Sequence, residues 1–383
     1  MDFAWTDEQL AFKEKAVRFA QAELDHDVIA LEHEACFPRS SWQKCADFGI
    51  QGLGIPEEYG GQGPIGFLTA MLVMEGLGYG CRDNGLTFAL NAQMWTVQRP
   101  ILQFGSEGQK KRYLPALCRG EWIGAHAISE PEAGSDVFSM TTHAEKQANG
   151  DYILNGVKKF ISLGPIADVV LIFATIDPGL GKWGITAFLM ERDVPGFQAG
   201  PLQDKMGLRT VPMGELVFEN CRVPAGSRLG PEGAGVSIST NSLEWERCSI
   251  LASQLGAMER QLEDSVRYAR DRNQFGRPIA KFQSVSNRLV DMKLRLETAR
   301  LLLYQVAWKK SQGQQAMLEA ALLKLHLSES FVQSSLDSLR VHGGNGYMAE
   351  YGIERDLRDA VGGILYAGTS DIQRNIIAQL MGL

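Results

Sequence analysis

The stretch Asp151-Tyr-Ile-Leu-Asn-Gly-Val-Lys-Lys-Phe-Ile161 decides how the chain divides. Strand formers stand on either side of Asn155-Gly156, a dipeptide that supplies the positive φ angles of a type I′ turn, so the stretch predicts a β-hairpin. Short β-rich runs follow at 169–175, 185–190 and 215–218, and together they predict a small antiparallel β unit. On both sides of it the period is helical. Upstream, Leu10, Phe12, Ala16, Phe19, Ala20 and Leu24 recur at helical spacing behind a Thr6-x-x-Gln9 capping box, which predicts a helix from Thr6 to about Ala30. Further helices are expected over 40–49, 65–79, 86–104 and 106–119. Downstream, the stretches 237–272, 283–312, 314–341 and 370–381, joined by short glycine-containing links, predict an antiparallel four-helix bundle. The fold class is α+β in three units, an N-terminal α-helical domain at 1–122, a middle β domain at 123–232 and a C-terminal helical bundle at 233–383.

Composition agrees with that size. A chain of 383 residues, 45% hydrophobic and 22% charged, allows two or three units that each bury a core, and excludes disorder, collagen and a disulfide miniprotein. With 38 basic against 45 acidic residues the net charge is −7, the wrong sign for a nucleic-acid partner. The start, MDFAWTDEQLAF, lacks the basic and apolar regions of a secretion signal, and no run of 18 apolar residues occurs. A soluble, cytoplasmic protein without a membrane partner is expected. Cysteines 36, 45, 81, 118, 221 and 248 form no C-x-x-C pair and the six histidines no H-x-x-x-H, so reduced thiols and no metal are expected.

The chain has no G-x-G-x-x-G after a strand, no P-loop and no G-x-S-x-G elbow, which sets aside nicotinamide, nucleotide-triphosphate and α/β-hydrolase chemistry. Instead, glycine- and hydroxyl-rich segments stand at element junctions: Ala127-Ile-Ser-Glu-Pro-Glu-Ala-Gly-Ser-Asp136, Lys159-Phe-Ile-Ser-Leu-Gly164, Arg272-Asn-Gln-Phe-Gly276, His342-Gly-Gly-Asn-Gly346 and Tyr366-Ala-Gly-Thr-Ser-Asp-Ile-Gln373. Singly each reads as a cap or turn. Together and in this order they resemble the acyl-CoA dehydrogenase flavoprotein family, across essentially the whole chain.

The resemblance implies a middle β-barrel, FAD between the β domain and the bundle, and a homotetramer. Carried over by position, Ile128 and Ser129 would line the flavin's pyrimidine side, and Phe160 and Ser162 would pack against the ring and hydrogen-bond near its N5. Arg272 and Phe275 would reach the FAD of a neighbouring subunit, with Arg272 at the pyrophosphate. Gly343 and Gly344 would admit the adenosine half, and Thr369 would place a hydroxyl and a helix N-terminus beside the dinucleotide. Ser135, Arg247 and Tyr366 are carried over as substrate-binding positions. His126 and the methionines Met206 and Met213 read as packing or lining residues.

One departure bears on mechanism. Where many members carry the catalytic base after the tyrosine of the last motif, this chain has Ala367, whose backbone N–H can still serve the oxyanion site for a thioester carbonyl. Other branches carry the base before an arginine on the first bundle helix; in Leu243-Glu-Trp-Glu-Arg247 that position is Glu246, with Glu244 the alternative. Residues two apart on a helix point about 200° apart, so only one of the two can face the site.

The implied chemistry is α,β-dehydrogenation of a thioester, a carboxylate taking the Cα proton as a hydride leaves Cβ for the flavin. The run Phe282-Gln-Ser-Val-Ser-Asn-Arg-Leu-Val-Asp-Met-Lys-Leu-Arg-Leu-Glu297, with Trp245-Glu246 and the Ala367 loop, is similar to the prolyl carrier-protein dehydrogenase branch. That branch implies L-proline on the phosphopantetheine arm of an acyl carrier protein; an isovaleryl-type acyl-CoA dehydrogenase is the alternative. A basic dock for an acidic carrier would be sought at Lys110, Lys111, Arg112 and Lys158.

Overall fold

In the computed structural model, which describes residues 5–24 and 27–383, Asn155-Gly156 does not turn the chain. Tyr152–Ser162 is one eleven-residue strand, paired antiparallel to His143–Lys146 on one edge and to Met213–Val223 on the other. The register slips between Leu154 and Gly156, and Asn220 opposite takes φ 53° while its N–H donates to Asn155 Oδ1 at 2.8 Å, so the dipeptide faces a bulge. The physical reason is the ladder. Each half of a hairpin would pair only with the other half, whereas the continuous strand bonds to two neighbours and buries Tyr152, Leu154, Lys158 and Ile161.

The strands are β1 (Gly124–Ala127), β2 (His143–Lys146), β3 (Tyr152–Ser162), β4 (Val169–Thr175), β5 (Ile185–Glu191), β6 (Phe197–Leu202), β7 (Met213–Val223) and β8 (Arg228–Leu229). Their order is β6-β7-β3-β2-β4-β5-β8, with β1 against β4. Pairing is mostly antiparallel, but β1 and β4 run parallel and β2 meets β4 through one parallel bridge, so the expected antiparallel sheet is a mixed one. No pairing joins β6 to β8 among the described residues; the sheet is an open path, not the expected closed barrel. Central β4 is buried at every position, as its near-continuous Val-Val-Leu-Ile-Phe run requires.

Before the sheet come α1 (Asp7–Glu23), α2 (Val28–His33), α3 (Arg39–Phe48), α4 (Phe67–Gly80), α5 (Asn84–Gln93), α6 (Arg99–Phe104) and α7 (Glu107–Cys118). The Thr6/Gln9 capping box starts α1 as expected. The expected run of that helix through 25 and 26, and the first four residues of the leader reading, lie outside the described residues. A buried π-helical turn at Met94–Gln98 interrupts the expected 86–104 helix.

After the sheet come α8 (Gly235–Ser249), α9 (Ala252–Asp271), the β9 (Asn273–Gln274) and β10 (Arg277–Pro278) ribbon, α10 (Gln283–Ser311), α11 (Met317–His342), α12 (Gly344–Tyr347), α13 (Ile353–Gly363) and α14 (Ser370–Leu380). The expected 237–272 helix breaks between α8 and α9, where Leu251 has ψ 1°. Helix α13 lay within a stretch given no element by sequence. Side-chain bonds Gln261–Ser335 and Ser265–Ser338 run α9 and α11 parallel, while Arg295–Ser334 and Thr298–His326 run α10 antiparallel to α11. The bundle is therefore not antiparallel throughout. No helix among the described residues is long and apolar enough to cross a membrane.

Helix α4 ties the first unit to the bundle. It lies close enough on α9 that a Cβ on Gly78 would stand 1.8 Å from Ser253 O, and one on Gly256 2.0 Å from Glu75 O. Glu75, fully buried in α4, accepts from Lys13 of α1 at 2.8 Å and pairs with Arg300 of α10 at 3.1 Å. We expect Gly256→Ala to force these helices apart and lower unfolding free energy by about 1–3 kcal/mol in urea titration. Gly66→Ala, where a Cβ would meet nothing within 4 Å, should leave it within about 0.5 kcal/mol.

Candidate active site

The site begins with a buried ion pair in the sheet. Lys158 of β3, fully buried, donates from Nζ to Glu130 Oε1 at 2.8 Å and to Ile128 O at 3.1 Å. Burial lowers the lysine to about 8. Burial alone would raise Glu130, yet Lys158 and the donors of Thr141 and Thr142 hold it down at about 2. One residue further on, the Lys159 N–H donates to Ser129 O at 2.9 Å. These bonds lay the Ile128-Ser129 segment alongside Lys159-Phe160, so four positions assigned to flavin by sequence, Ile128, Ser129, Phe160 and Ser162, are brought together. Phe160 stands at φ 60° and is 59% exposed, and Ser129 and Ser162 are both half-buried.

The second part is the loop from Ile364 to Thr369. Ala367 and Gly368 both have left-handed backbone, φ 55° and 85°. Three side chains hold their carbonyls: Arg247 Nε donates to Ala367 O at 3.2 Å, Gln373 Nε2 to Ala367 O at 3.0 Å and Gly368 O at 2.9 Å, and Lys324 Nζ to Gly368 O at 2.7 Å. The Ala367 N–H has no acceptor among the described residues. Thr369 caps α14, its Oγ1 accepting from the Ile372 N–H at 3.2 Å.

The two candidate carboxylates separate cleanly. Glu244 is buried and spoken for: Lys310 Nζ donates to its Oε1 at 2.8 Å and the Ala316 N–H at 3.3 Å. Glu246, on the opposite side of α8, is half-buried and has no hydrogen-bond or ion-pair partner among the described residues. Burial pushes it up to about 7, against the pull of Arg247 and Lys324. Arg247, carried over as substrate-binding, spends its Nε on the loop. Tyr366 packs on Phe88 with ring centroids 4.8 Å apart and takes a bond from Gln254 Nε2 at 2.8 Å.

The remaining positions lie elsewhere. Arg272 ends α9, Gly343 ends α11 and Gly344 follows it, and because these helices run parallel all three stand at one end of the bundle with the ribbon that carries Phe275, 92% exposed. A Cβ on Gly343 or Gly344 would meet nothing within 4 Å. Nineteen residues separate Lys324 from Gly343, roughly 28 Å along α11, so this group does not adjoin the Ala367 loop. Ser135 is exposed on the loop before β2.

One reading changes, that of the basic dock. Lys158 is buried, Lys110 pairs with Glu107 at 2.9 Å and Arg112 with Glu191 at 2.6 Å, so the expected basic dock is largely paired within the chain. Met206 is 59% exposed and is not a core residue. His126, pressed on Phe173, is driven down to about 4 by burial and by Lys158, and is neutral at pH 7. Sequence reasoning gave no role to Lys324, Gln254 or Gln373; Lys324 left a trace as a lone cation within Ala320-Ala-Leu-Leu-Lys-Leu, and Gln373 as the last residue of the final motif.

Three family profiles match the chain: acyl-CoA dehydrogenase N-terminal domain at 6–121, middle domain at 125–221 and C-terminal domain at 233–382. The chain is 43% identical over 384 residues to an L-prolyl-[peptidyl-carrier protein] dehydrogenase of Pseudomonas fluorescens, covering 100% of each. Among solved structures it is 51% identical to the prolyl acyl carrier protein oxidase AnaB, with TM-score 0.98 and 99% and 100% of the two chains covered. It is 41% identical to PigA, solved with FAD and proline, at TM-score 0.97 and full coverage of both chains. With profiles matched in sequence order along nearly its whole length, the chain belongs to the acyl-CoA dehydrogenase family.

Proposed function

We propose that this chain is an FAD-dependent dehydrogenase of a thioester-bound acyl group, acting on L-proline held on an acyl carrier protein and giving a dehydroprolyl or 1-pyrroline-carboxyl thioester. The observation that carries this reading is Glu246, a carboxylate raised to about 7, on the helix whose next residue, Arg247, bonds the loop that presents the Ala367 N–H, both groups without a partner among the described residues. The relatives described above, named for prolyl-carrier substrates, support the prolyl handle over an isovaleryl one.

The residues fit a flavin. Phe160 leaves an apolar ring exposed, next to Lys159, which bonds Ser129, and two residues before Ser162, which suits a planar heterocycle with a polar edge. Ile128, Ser129, Phe160, Ser162 and Thr369 would hold FAD within one subunit, and Arg272, Phe275, Gly343 and Gly344, at the far end of the bundle, would serve a neighbour's FAD in a homotetramer. FAD, when bound, supplies the two-electron acceptor for the substrate's hydride. The three units at 1–122, 123–232 and 233–383 and a cytoplasmic location belong to the same proposal.

The chain's own work is proton transfer and polarisation. Glu246, deprotonated above about pH 7, takes the Cα proton, and the electron pair left behind forms the Cα–Cβ double bond as Cβ gives up its hydride. The Ala367 N–H donates to the thioester oxygen, where negative charge grows. Arg247, Lys324 and Gln373 act through the loop carbonyls and are positioning residues. Tyr366 and Ser135 are the other substrate-binding positions of the proposal.

Purified protein should carry FAD that bleaches with prolyl-loaded carrier and not with isovaleryl-CoA; bleaching by isovaleryl-CoA alone would overturn the handle. Glu246→Gln should keep FAD and lose about 10² to 10⁴ in the rate of flavin reduction, while Glu244→Gln keeps that rate per folded flavin. Arg272→Ala should lose much of its FAD, measured by flavin-to-protein absorbance.

A pH test follows from the raised carboxyl. A folded-state value near 7, above the ordinary 4.5, means that the fold favours protonated Glu246, so this group costs stability above about pH 7 and costs nothing below about 4.5. We expect flavin reduction to rise with pH through about 7 in the parent. Glu246→Gln should be more stable than the parent by on the order of 1–3 kcal/mol at pH 8, with the difference vanishing near pH 4.5 in denaturant titrations.

A further inference from the structure

Glu246 accepts no hydrogen bond among the described residues, so its aim is left to the helix that carries it. Successive residues step round a helix by about 100°, which puts Trp245 and Arg247 on the two flanks of Glu246. Arg247 is tied to the Ala367 carbonyl at 3.2 Å. Trp245 is tied through its buried ring. Phe67 meets the indole edge-on with centroids 4.9 Å apart, and Trp95 lies nearly parallel to it at 6.3 Å. Two cations also stand over the ring, the Lys310 Nζ 4.2 Å and the Arg99 guanidinium 4.1 Å from its centroid. Lys310 has a second task, the bond to Glu244 at 2.8 Å. Arg99, half-buried at the start of α6, has none: its Nε is buried without a hydrogen-bond partner among the described residues, and burial lowers its pKa with no carboxylate to offset it.

We infer that Arg99 is a positioning residue for the base: its cation holds the Trp245 ring, and through it the turn of α8 that carries Glu246. The inference rests on Glu246 being the base of the reaction proposed above. A half-buried cation without a counter-ion is costly, and its attraction to the face of an indole grows with the same loss of water. The contact joins α6, which precedes the sheet, to α8, which follows it, on the flank of Glu246 that Arg247 does not hold. The charges that act on Glu246 are those of Arg247 and Lys324, so Arg99 works through the ring and not through its own field. A reacting group displaced by about 1 Å loses on the order of a hundredfold in rate, so the pair governs the proton-transfer step and leaves substrate affinity alone.

The test uses holoenzyme and prolyl-loaded carrier protein and reads two rates. One is flavin reduction in a single turnover. The other is exchange of the prolyl Cα hydrogen in D2O, above the enzyme-free rate, by enzyme whose flavin is already reduced; no hydride can then leave, and the exchange reports the base alone. We expect Arg99→Met to keep its FAD, to lower both rates about ten- to a hundredfold and to leave KM within about threefold of the parent. Arg99→Lys, which still offers the ring a cation, should keep both rates within about threefold. Trp245→Leu should lose as much as Arg99→Met, and the double variant no more than the slower single one, since both remove the same contact. An Arg99→Met enzyme with full FAD and parental rates would overturn the inference. So would an Arg99→Lys enzyme as slow as Arg99→Met, or losses that multiply in the double variant. If Trp245→Leu does not fold, Trp245→Phe, which keeps an aromatic face, takes its place and should stay within about threefold of the parent, while a loss as large as that of Arg99→Met would overturn the inference. A Glu246→Gln enzyme with parental rates of flavin reduction and Cα exchange would overturn the base reading itself; impaired Glu246→Gln beside unimpaired Arg99→Met overturns the inference alone.

Discussion

Two backbone carbonyls, those of Ala367 and Gly368, hold the arrangement together. Left-handed backbone at a residue with a Cβ costs about 1–2 kcal/mol, so Ala367 stays at φ 55° only because its surroundings insist on it. Arg247 from α8, Lys324 from α11 and Gln373 from α14 converge on the two oxygens. Each donor comes from a different helix, so the loop conformation reports the relative placement of all three. What the clamp leaves free is the Ala367 N–H, aimed by the turn and not by any bond of its own. Lys324 shows the cost: a fully buried ammonium with one carbonyl partner, lowered to about 8 by burial. A position that demanding is retained where geometry matters more than stability.

The same helix that supplies Arg247 shows how environment divides labour between like groups. Glu244 and Glu246 have identical chemistry and lie two residues apart, so α8 turns them to opposite sides. Glu244 meets Lys310 and the Ala316 N–H and becomes structural, locking α8 to the end of α10. Glu246 meets no hydrogen-bond donor among the described residues, and desolvation that outweighs the pull of Arg247 and Lys324 is what makes the carboxylate a stronger base. The absent carboxylate at Ala367 is consistent with this: a glutamate on the loop would add a second negative charge near a base that is already reluctant to ionise.

How much of this was legible in sequence differs by the physics involved. Helix periodicity and the Thr6/Gln9 box were local, and the helical-β-helical order followed from them. Asn155-Gly156 misled because turn preference is local while the outcome was set by two neighbouring strands, β2 and β7, distant in sequence. The parallel β1–β4 pairing and the parallel α9–α11 pair are likewise tertiary facts without a local period. In the site, the hydroxyl and glycine positions were visible as motifs, and Glu246 was distinguishable from Glu244 only by aligning on Arg247. Gln254 was invisible, and Gln373 visible only as the end of a motif, because a glutamine on a helix reads as surface until its partner is known. Lys158 was misplaced for the same reason: nothing local says that Glu130, 28 residues upstream, waits to neutralise it.

The charge arrangement explains why the proposed proton transfer needs so little reorganisation. Before transfer one negative charge rests on Glu246, which feels two cations, half-buried Arg247 and buried Lys324. As the proton moves Glu246 becomes neutral, and negative charge grows on the thioester oxygen beside the Ala367 N–H until the hydride leaves Cβ. Both cations are anchored to loop carbonyls. What changes is the partner: the carboxylate had no hydrogen-bond donor among the described residues, and the oxygen that receives the charge has one held in place beforehand. The gain on going forward thus comes from a donor withheld from the ground state, which is how binding interactions raise a rate instead of merely tightening a complex.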